Sequence, residues 1–179
     1  LAINGTGNAL ANVITGNAAA NVLNGLLGND TLLGGAGNDT YVVAQAGDVA
    51  SELFGSGVDL VRASLSWVLG ADLEQLVLTG TLAIDGTGNA LANTLTGNSA
   101  ANVLDGGAGN DTLVGGGGDD TYVVAQAGDV VTELAGQGAD LVEASVNHAL
   151  ALAVENLTLT GALAINGTGN ALANVITGN

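Results

Sequence analysis

Asp111 and Asp120 each occupy the sixth place of a glycine-rich block of nine, GGAGNDTLV from Gly106 and GGGGDDTYV from Gly115. GLLGNDTLL from Gly25 and GGAGNDTYV from Gly34 place Asp30 and Asp39 in the same way. Carboxylates at a fixed interval, flanked by glycine, suit oxygen coordination of a hard cation. If two blocks make one turn of a coil, aspartates eighteen residues apart stack about 4.8 Å from one another, the spacing of neighbouring strands. Two like charges that close do not both ionise cheaply. A calcium ion between them removes the conflict, because it takes roughly six to eight oxygens at about 2.3–2.6 Å. Glycine beside them lets main-chain carbonyls converge where a side chain would stand in the way.

The elements that must hold these carboxylates are legible in the repeats. LAINGTGNALANVITGN fills Leu1–Asn17 and returns letter for letter at Leu163–Asn179, with LAIDGTGNALANTLTGN from Leu82 between them. The long period is therefore 81 residues, and repetition on this scale marks a solenoid or an array. The expected organisation is a first unit over 1–81, a second over 82–162 and the start of a third over 163–179. Within the units, nonads run over about 7–48 and 88–129, and longer-strand turns fill 49–81 and 130–162. The eighth place of each nonad is large and apolar: Ile14, Leu23, Leu32 and Tyr41, then Leu95, Leu104, Leu113 and Tyr122. A period of nine fits neither a 3.6-residue helix nor a free hairpin; it fits strands of about three residues joined by tight turns. In the longer turns the alternation predicts strands over Val130–Leu134, Leu141–Val146, Glu155–Leu159 and Leu163–Ile165, with a short helix as the alternative over Ala149–Val154. Because 81 is nine nonads, an odd number of half-coils, equivalent segments of successive units should face opposite ways.

Composition narrows the partners. The chain of 179 residues has a formal charge of −16, with Arg62 its only strong base, so nucleic acid and anionic membrane surfaces are repelled. It has no cysteine and hence no disulfide framework. No apolar run approaches the roughly 18 residues of a membrane span. Nearly half the residues, 47%, are apolar, which supplies a core once the charge is neutralised.

The blocks GGAGNDTLV, GGGGDDTYV and GGAGNDTYV resemble the nonapeptide of the hemolysin-type, or RTX, calcium-binding repeat, G-G-x-G-x-D-x-U-x with U large and apolar. The resemblance implies an all-β fold, a parallel β-roll or β-solenoid with Ca2+ between stacked turns. It also implies type I secretion from a bacterium and folding when the chain meets calcium outside the cell, hence a secreted or cell-surface location. Carried over residue by residue, the ligands are Asp30, Asp39, Asp111 and Asp120. Counting on by nine adds Asp48 and Asp129, although their blocks lack the leading glycines. Asp30 pairs with Asp48 and Asp111 with Asp129; Asp39 pairs backward with Asn21 and Asp120 with Asn102. Carbonyl ligands are carried over to Gly25, Gly34, Gly35, Gly37, Gly106, Gly107, Gly109, Gly115, Gly116 and Gly118. The earlier blocks depart from the pattern, with Asn12, Asn21, Asn93, Asn102 and Asn174 at place six and Leu26 at the second glycine of its block. Turns with asparagine alone are expected to form amide ladders without metal. Asp59, Asp72 and Asp140 read as ordinary turn acids, and Asp119 as solvent-facing.

No residue combination supports catalysis. The single histidine, His148, aligns with Trp67 one unit earlier, and Arg62 aligns with Glu143; neither position can carry chemistry shared by both units. Ser64, Ser66 and Ser145 lack a base in the pattern. The expected function is a non-enzymatic, calcium-loaded structural repeat whose units associate end to end or as neighbouring repeats of one long chain, in a fibre, adhesin stalk or surface layer. The alternative is the calcium-dependent secretion and folding module of an extracellular protease, lipase or alginate epimerase.

Overall fold

The computed structural model describes residues 1–53 and 55–179. Twenty short strands follow one another along the chain: β1 (Gly5–Thr6), β2 (Val13–Thr15), β3 (Val22–Asn24), β4 (Thr31–Leu33), β5 (Thr40–Val43), β6 (Val49–Ser51), β7 (Leu60–Ala63), β8 (Trp67–Val68), β9 (Gln75–Leu78) and β10 (Gly86–Thr87). The series continues with β11 (Thr94–Thr96), β12 (Val103–Asp105), β13 (Thr112–Val114), β14 (Thr121–Val124), β15 (Val130–Thr132), β16 (Leu141–Ala144), β17 (His148–Ala149), β18 (Asn156–Leu159), β19 (Gly167–Thr168) and β20 (Val175–Thr177). Every pairing is parallel and joins strands two apart in order. One sheet runs β1-β3-β5-β7-β9-β11-β13-β15; β2-β4-β6 and the sheet from β8 to β20 take the even strands, and β17-β19 form a further odd pair. Two strands thus make one turn, and the chain winds into a β-solenoid of about ten turns. Among the described residues there is no helix, so Ala149–Val154 is not helical. It opens on the two-residue β17 and bends at Ala153, whose φ is +67°. Nor is Leu163–Ile165 a strand: the ladder partner of His148–Ala149 is Gly167–Thr168, which leaves 163–165 without a neighbour to pair with.

The stacking interval is eighteen residues within the nonads. Leu23 lies beside Tyr41, and Leu104 beside Tyr122. The irregular turns keep the coil by stretching and shortening. Tyr41 registers with Val61, Val61 with Leu76 and Leu76 with Leu95. The seven nonad residues Leu23, Leu32, Tyr41, Leu95, Leu104, Leu113 and Tyr122 are completely buried, and Val61, Leu76, Val142 and Leu157 continue their columns. Each strand presents its middle residue inward because side chains alternate along it. Tyr41 lies on the odd sheet at β5 and Tyr122 on the even one at β14, so the equivalent strands of successive repeats do face opposite ways.

Glycine at the second place of the nonad carries a left-handed bend: φ is +100° at Gly35, +83° at Gly107 and +104° at Gly116. Leu26 holds the same bend with φ +71° and is 43% exposed, so its side chain gains little burial there. A left-handed residue bearing a Cβ costs about 1–2 kcal/mol, against roughly 0.5–1 kcal/mol for the extra chain freedom of glycine. Leu26→Gly is therefore expected to stabilise the calcium-loaded chain by roughly 0–1.5 kcal/mol, read as a raised thermal midpoint; a lower midpoint refutes the strain.

Candidate metal centres

The sixth place of each nonad lies where the chain leaves its bend and enters the next strand, and its side chain turns back into the bend. In the asparagine nonads the carboxamide oxygen accepts an N–H of its own turn, as from Asn17 to Asn21 Oδ1 at 2.6 Å and from Asn98 to Asn102 Oδ1 at 2.8 Å. Its Nδ2 donates backward, from Asn102 to the Ile84 carbonyl at 2.6 Å and from Asn93 to the Leu73 carbonyl at 3.0 Å. The expected amide ladder is thus absent from Asn93, and Asn102, expected as the partner of Asp120, bonds in the same way. An amide carries its own donor, and the preceding rung offers carbonyls to meet it.

Aspartate has no such donor. One oxygen of each accepts the backbone N–H of the sixth residue one rung earlier: Asn12 to Asp30 at 2.7 Å, Asn21 to Asp39 at 2.6 Å, Asn93 to Asp111 at 2.8 Å and Asn102 to Asp120 at 2.7 Å. The other oxygen, Oδ2 of Asp30, Asp39, Asp111 and Asp120, is buried and has no hydrogen-bond partner. All four residues are at most 1% exposed. Burial pushes the carboxyls of Asp39 and Asp111 upward, and that of Asp120 to about 7. Each orphaned oxygen lies against the first glycine of its own nonad, at Gly25, Gly34, Gly106 and Gly115, where a Cβ would strike it. The carbonyls of these same glycines point to the rung before, Gly25 toward Gly7 and Asn12, Gly34 toward Gly16 and Asn21, Gly106 toward Gly88 and Asn93, Gly115 toward Gly97 and Asn102. Gly37 and Gly118 direct their carbonyls forward onto Gly57 and Gly138. Gly35, Gly37, Gly107, Gly109, Gly116 and Gly118 all take positive φ and form the bends themselves.

Asp48 and Asp129 end these columns in a different state. Asp48 Oδ1 accepts the Asp30 N–H at 3.0 Å and Asp129 Oδ1 the Asp111 N–H at 3.1 Å. Their second oxygens accept two N–H groups of their own bends, Ala44 and Gln45 or Ala125 and Gln126. Oxygen-only donors, negative charge, close carbonyls and buried lone pairs without a donor form a set that fits calcium and offers no soft ligand.

The family model of the RTX calcium-binding nonapeptide repeat (four copies) matches residues 6–41 and 87–122, the segments that contain these four aspartates. The nonads are RTX calcium-binding repeats. The matched RTX segments cover less than half of the chain, and calcium is the ion such repeats bind. No curated protein and no solved structure matches the chain.

The RTX pattern did not point to the acids beyond it. Asp59 and Asp140 are not ordinary turn acids: each is 1% exposed and takes the next place in the column, Asp59 Oδ1 accepting the Asp39 N–H at 2.7 Å and Asp140 Oδ1 the Asp120 N–H at 2.9 Å. Beside them stand Glu52 and Glu133, 8% and 9% exposed and hydrogen-bonded to the hydroxyls of Tyr41 and Tyr122. A signal for them was present. Glu52 lies one eighteen-residue rung beyond Gly34, and Glu133 one rung beyond Gly115. Asp119 is exposed, as expected. His148 and Trp67 are half-buried at equivalent places, and burial lowers the imidazole pKa.

Among the described residues no helix is long and apolar enough to cross a membrane.

Proposed function

We propose that this calcium-binding repeat module is a non-catalytic structural segment of a secreted RTX protein. In this reading it folds on calcium outside the cell, and its 81-residue units stack along one axis into a fibre, adhesin stalk or surface layer. The observation that carries the reading is the set of four buried aspartate oxygens without a donor, each repeated at the same place of its nonad. Calcium is held by Asp30, Asp39, Asp111 and Asp120, with the carbonyls of Gly25, Gly34, Gly106 and Gly115 and the oxygens of Asn21 and Asn102 nearby. The bend glycines Gly35, Gly37, Gly107, Gly109, Gly116 and Gly118 let the backbone approach. Asp48 and Asp129 close the column at one side, where their negative charge favours the ion although their oxygens already accept N–H groups.

Stacking is supported inside the chain, where the second unit continues the sheet of the first: β9 (Gln75–Leu78) pairs in parallel with β11 (Thr94–Thr96) across the boundary between the units.

Asp111→Ala combined with Asp120→Ala is expected to weaken calcium-driven folding by roughly tenfold or more in calcium concentration, as removal of charged ligands does in such modules. Asn93→Ala, which removes a side chain bonded to backbone carbonyls, should leave the calcium midpoint nearly in place. Calcium titrations followed by circular dichroism check both, and equal shifts defeat the assignment. In light scattering the calcium-loaded chain is expected to lengthen with concentration; a rod of one chain at every concentration defeats end-to-end association between chains.

A further inference from the structure

At the end of one nonad column in each repeat, after Gly34 and after Gly115, the glycine ladder changes chemistry. Within the ladder, the space beside a first-place glycine is lined by the next rung's first-place carbonyl, as Gly16 is by Gly34 and Gly97 by Gly115. Beside Gly34 and Gly115 themselves that carbonyl is replaced by a side chain. The atoms nearest to a Cβ at Gly34 would be Glu52 Oε1, the Tyr41 hydroxyl and Asp39 Oδ2. At Gly115 they would be the Tyr122 hydroxyl, Asp120 Oδ2 and Glu133 Oε1. Asp59 and Asp140 complete the two groups, and in each the three carboxylates offer oxygens within 4.8 Å of one another.

Two acidic clusters alone would prove nothing, since solvated acids gather freely. These are buried, and Asp39 Oδ2 and Asp120 Oδ2 point into them with no donor in reach. The same constellation also recurs in both sequence repeats on opposite sheets.

We propose that Asp39, Glu52 and Asp59, and likewise Asp120, Glu133 and Asp140, each form a second class of calcium site, rich in carboxylates and capped by a tyrosine hydroxyl, which binds more tightly than the glycine-carbonyl sites of the nonads. The oxygens are close enough to share one ion: all lie within 4.8 Å of one another, and an ion bound at about 2.3–2.6 Å bridges oxygens up to roughly twice that distance apart. Three carboxylates against one or two in a nonad site set the order of affinity, because ligand charge tunes calcium sites. Glu52 and Glu133 are also held in place. Their second oxygens accept the N–H groups of Leu53 and Leu134, at 3.3 and 3.1 Å, and Gly116 donates to Glu133 Oε1 at 3.2 Å. Asp59 and Asp140 are fixed from the next rung, donating their N–H groups to Glu74 and Glu155 at 2.9 Å each. The far side of each site is thereby tied to the irregular turns, so calcium here joins the nonad stack to the rungs that follow it. The proposal shares Asp39 and Asp120 with the nonad reading and takes nothing from Asp30 or Asp111.

The test is a count of ions and their affinities on the whole chain, by calorimetric titration of calcium into chelator-treated protein with equilibrium dialysis as the check. The wild-type chain is expected to show a tight class of one ion per cluster ahead of a weaker class. Glu52→Gln with Glu133→Gln should abolish the tight class and keep the weaker one. Asp30→Asn with Asp111→Asn should keep the tight class and reduce the number of ions in the weaker one, and its failure to do so would count against the nonad reading alone. A single uniform class in the wild type, or a tight class that survives Glu52→Gln with Glu133→Gln, overturns the proposal; the clusters would then be neutralised by protons. If the glutamine variant does not fold, Tyr41→Phe with Tyr122→Phe keeps every carboxylate and is expected to weaken the tight class several-fold. No change in that variant overturns the proposal equally.

Discussion

Stripping calcium from this chain at neutral pH is expected to abolish its β-sheet circular dichroism, and millimolar calcium should restore it. The reason is local before it is global. Asp30, Asp39, Asp111 and Asp120 each bury a carboxylate oxygen that no N–H or O–H reaches. Burying an ion costs several kcal/mol even after relaxation, and the single backbone N–H that each of these carboxylates accepts offsets only part of it. Four such groups weigh heavily against the about 5–15 kcal/mol of net stability that an ordinary domain possesses. Long-range repulsion adds to this, because a charge of −16 is wound into a narrow stack with Arg62 as its one strong base. The apolar columns of Leu23, Leu104 and Leu113 cannot hold the coil against both, since each solenoid rung leans only on its neighbours. Calcium reverses the sign of the same term, and its binding free energy becomes folding free energy. Half-refolding should fall at about 10⁻⁴–10⁻³ M calcium, the range of extracellular modules. A β signal that survives excess chelator would show that the aspartates are satisfied in some other way.

What was legible in the sequence is whatever the nonad period controls. The eighth place gave the core residue by residue, and the sixth gave the four aspartates whose oxygens lack donors. The eighteen-residue spacing gave the partner of each, because two nonads make one turn of the coil wherever the rungs are regular. Legibility ended where the rung changed length. Asp59 lies twenty residues from Asp39, not eighteen, so counting by nine passed over it. Glu52 keeps the eighteen-residue interval but replaces a backbone carbonyl by a side chain, a substitution that a search for glycine does not register. Asn93 was misread for another reason. Stacked amides can bond to one another, but Asn93 and Asn102 face carbonyls of irregular rungs, and backbone acceptors win because they are already buried and need donors.

Acid is expected to act on the calcium-free and calcium-loaded chains in opposite directions. In the folded chain burial lifts Glu52 from 4.5 to about 7, with the Asp59 charge adding to it. Burial lifts Asp120 from 3.8 to about 7 and Asp140 from 3.8 to about 6, and the Glu133 charge raises both further. Between about pH 4 and 7 the folded chain therefore holds more protons than the unfolded one. Stability without calcium must fall as pH rises through that window and be greatest at its acid end. His148 works the other way. Burial lowers its pKa below 6.5, and the nearby Asp129 charge only partly offsets this, so below pH 6.5 the unfolded chain gains a proton that the fold resists. One imidazole stands against three strongly shifted carboxyls, and the carboxyls decide the sign. With calcium present, the ion must displace those protons, so its affinity weakens as pH drops below about 7. Circular dichroism with chelator should thus show β signal at pH 5 that is lost at pH 8, whereas with millimolar calcium the thermal midpoint should be higher at pH 8 than at pH 5. If both series instead moved together, the protons and the metal would not be competing for the same buried oxygens. The sixth-place aspartates would then be neutralised independently of the ion.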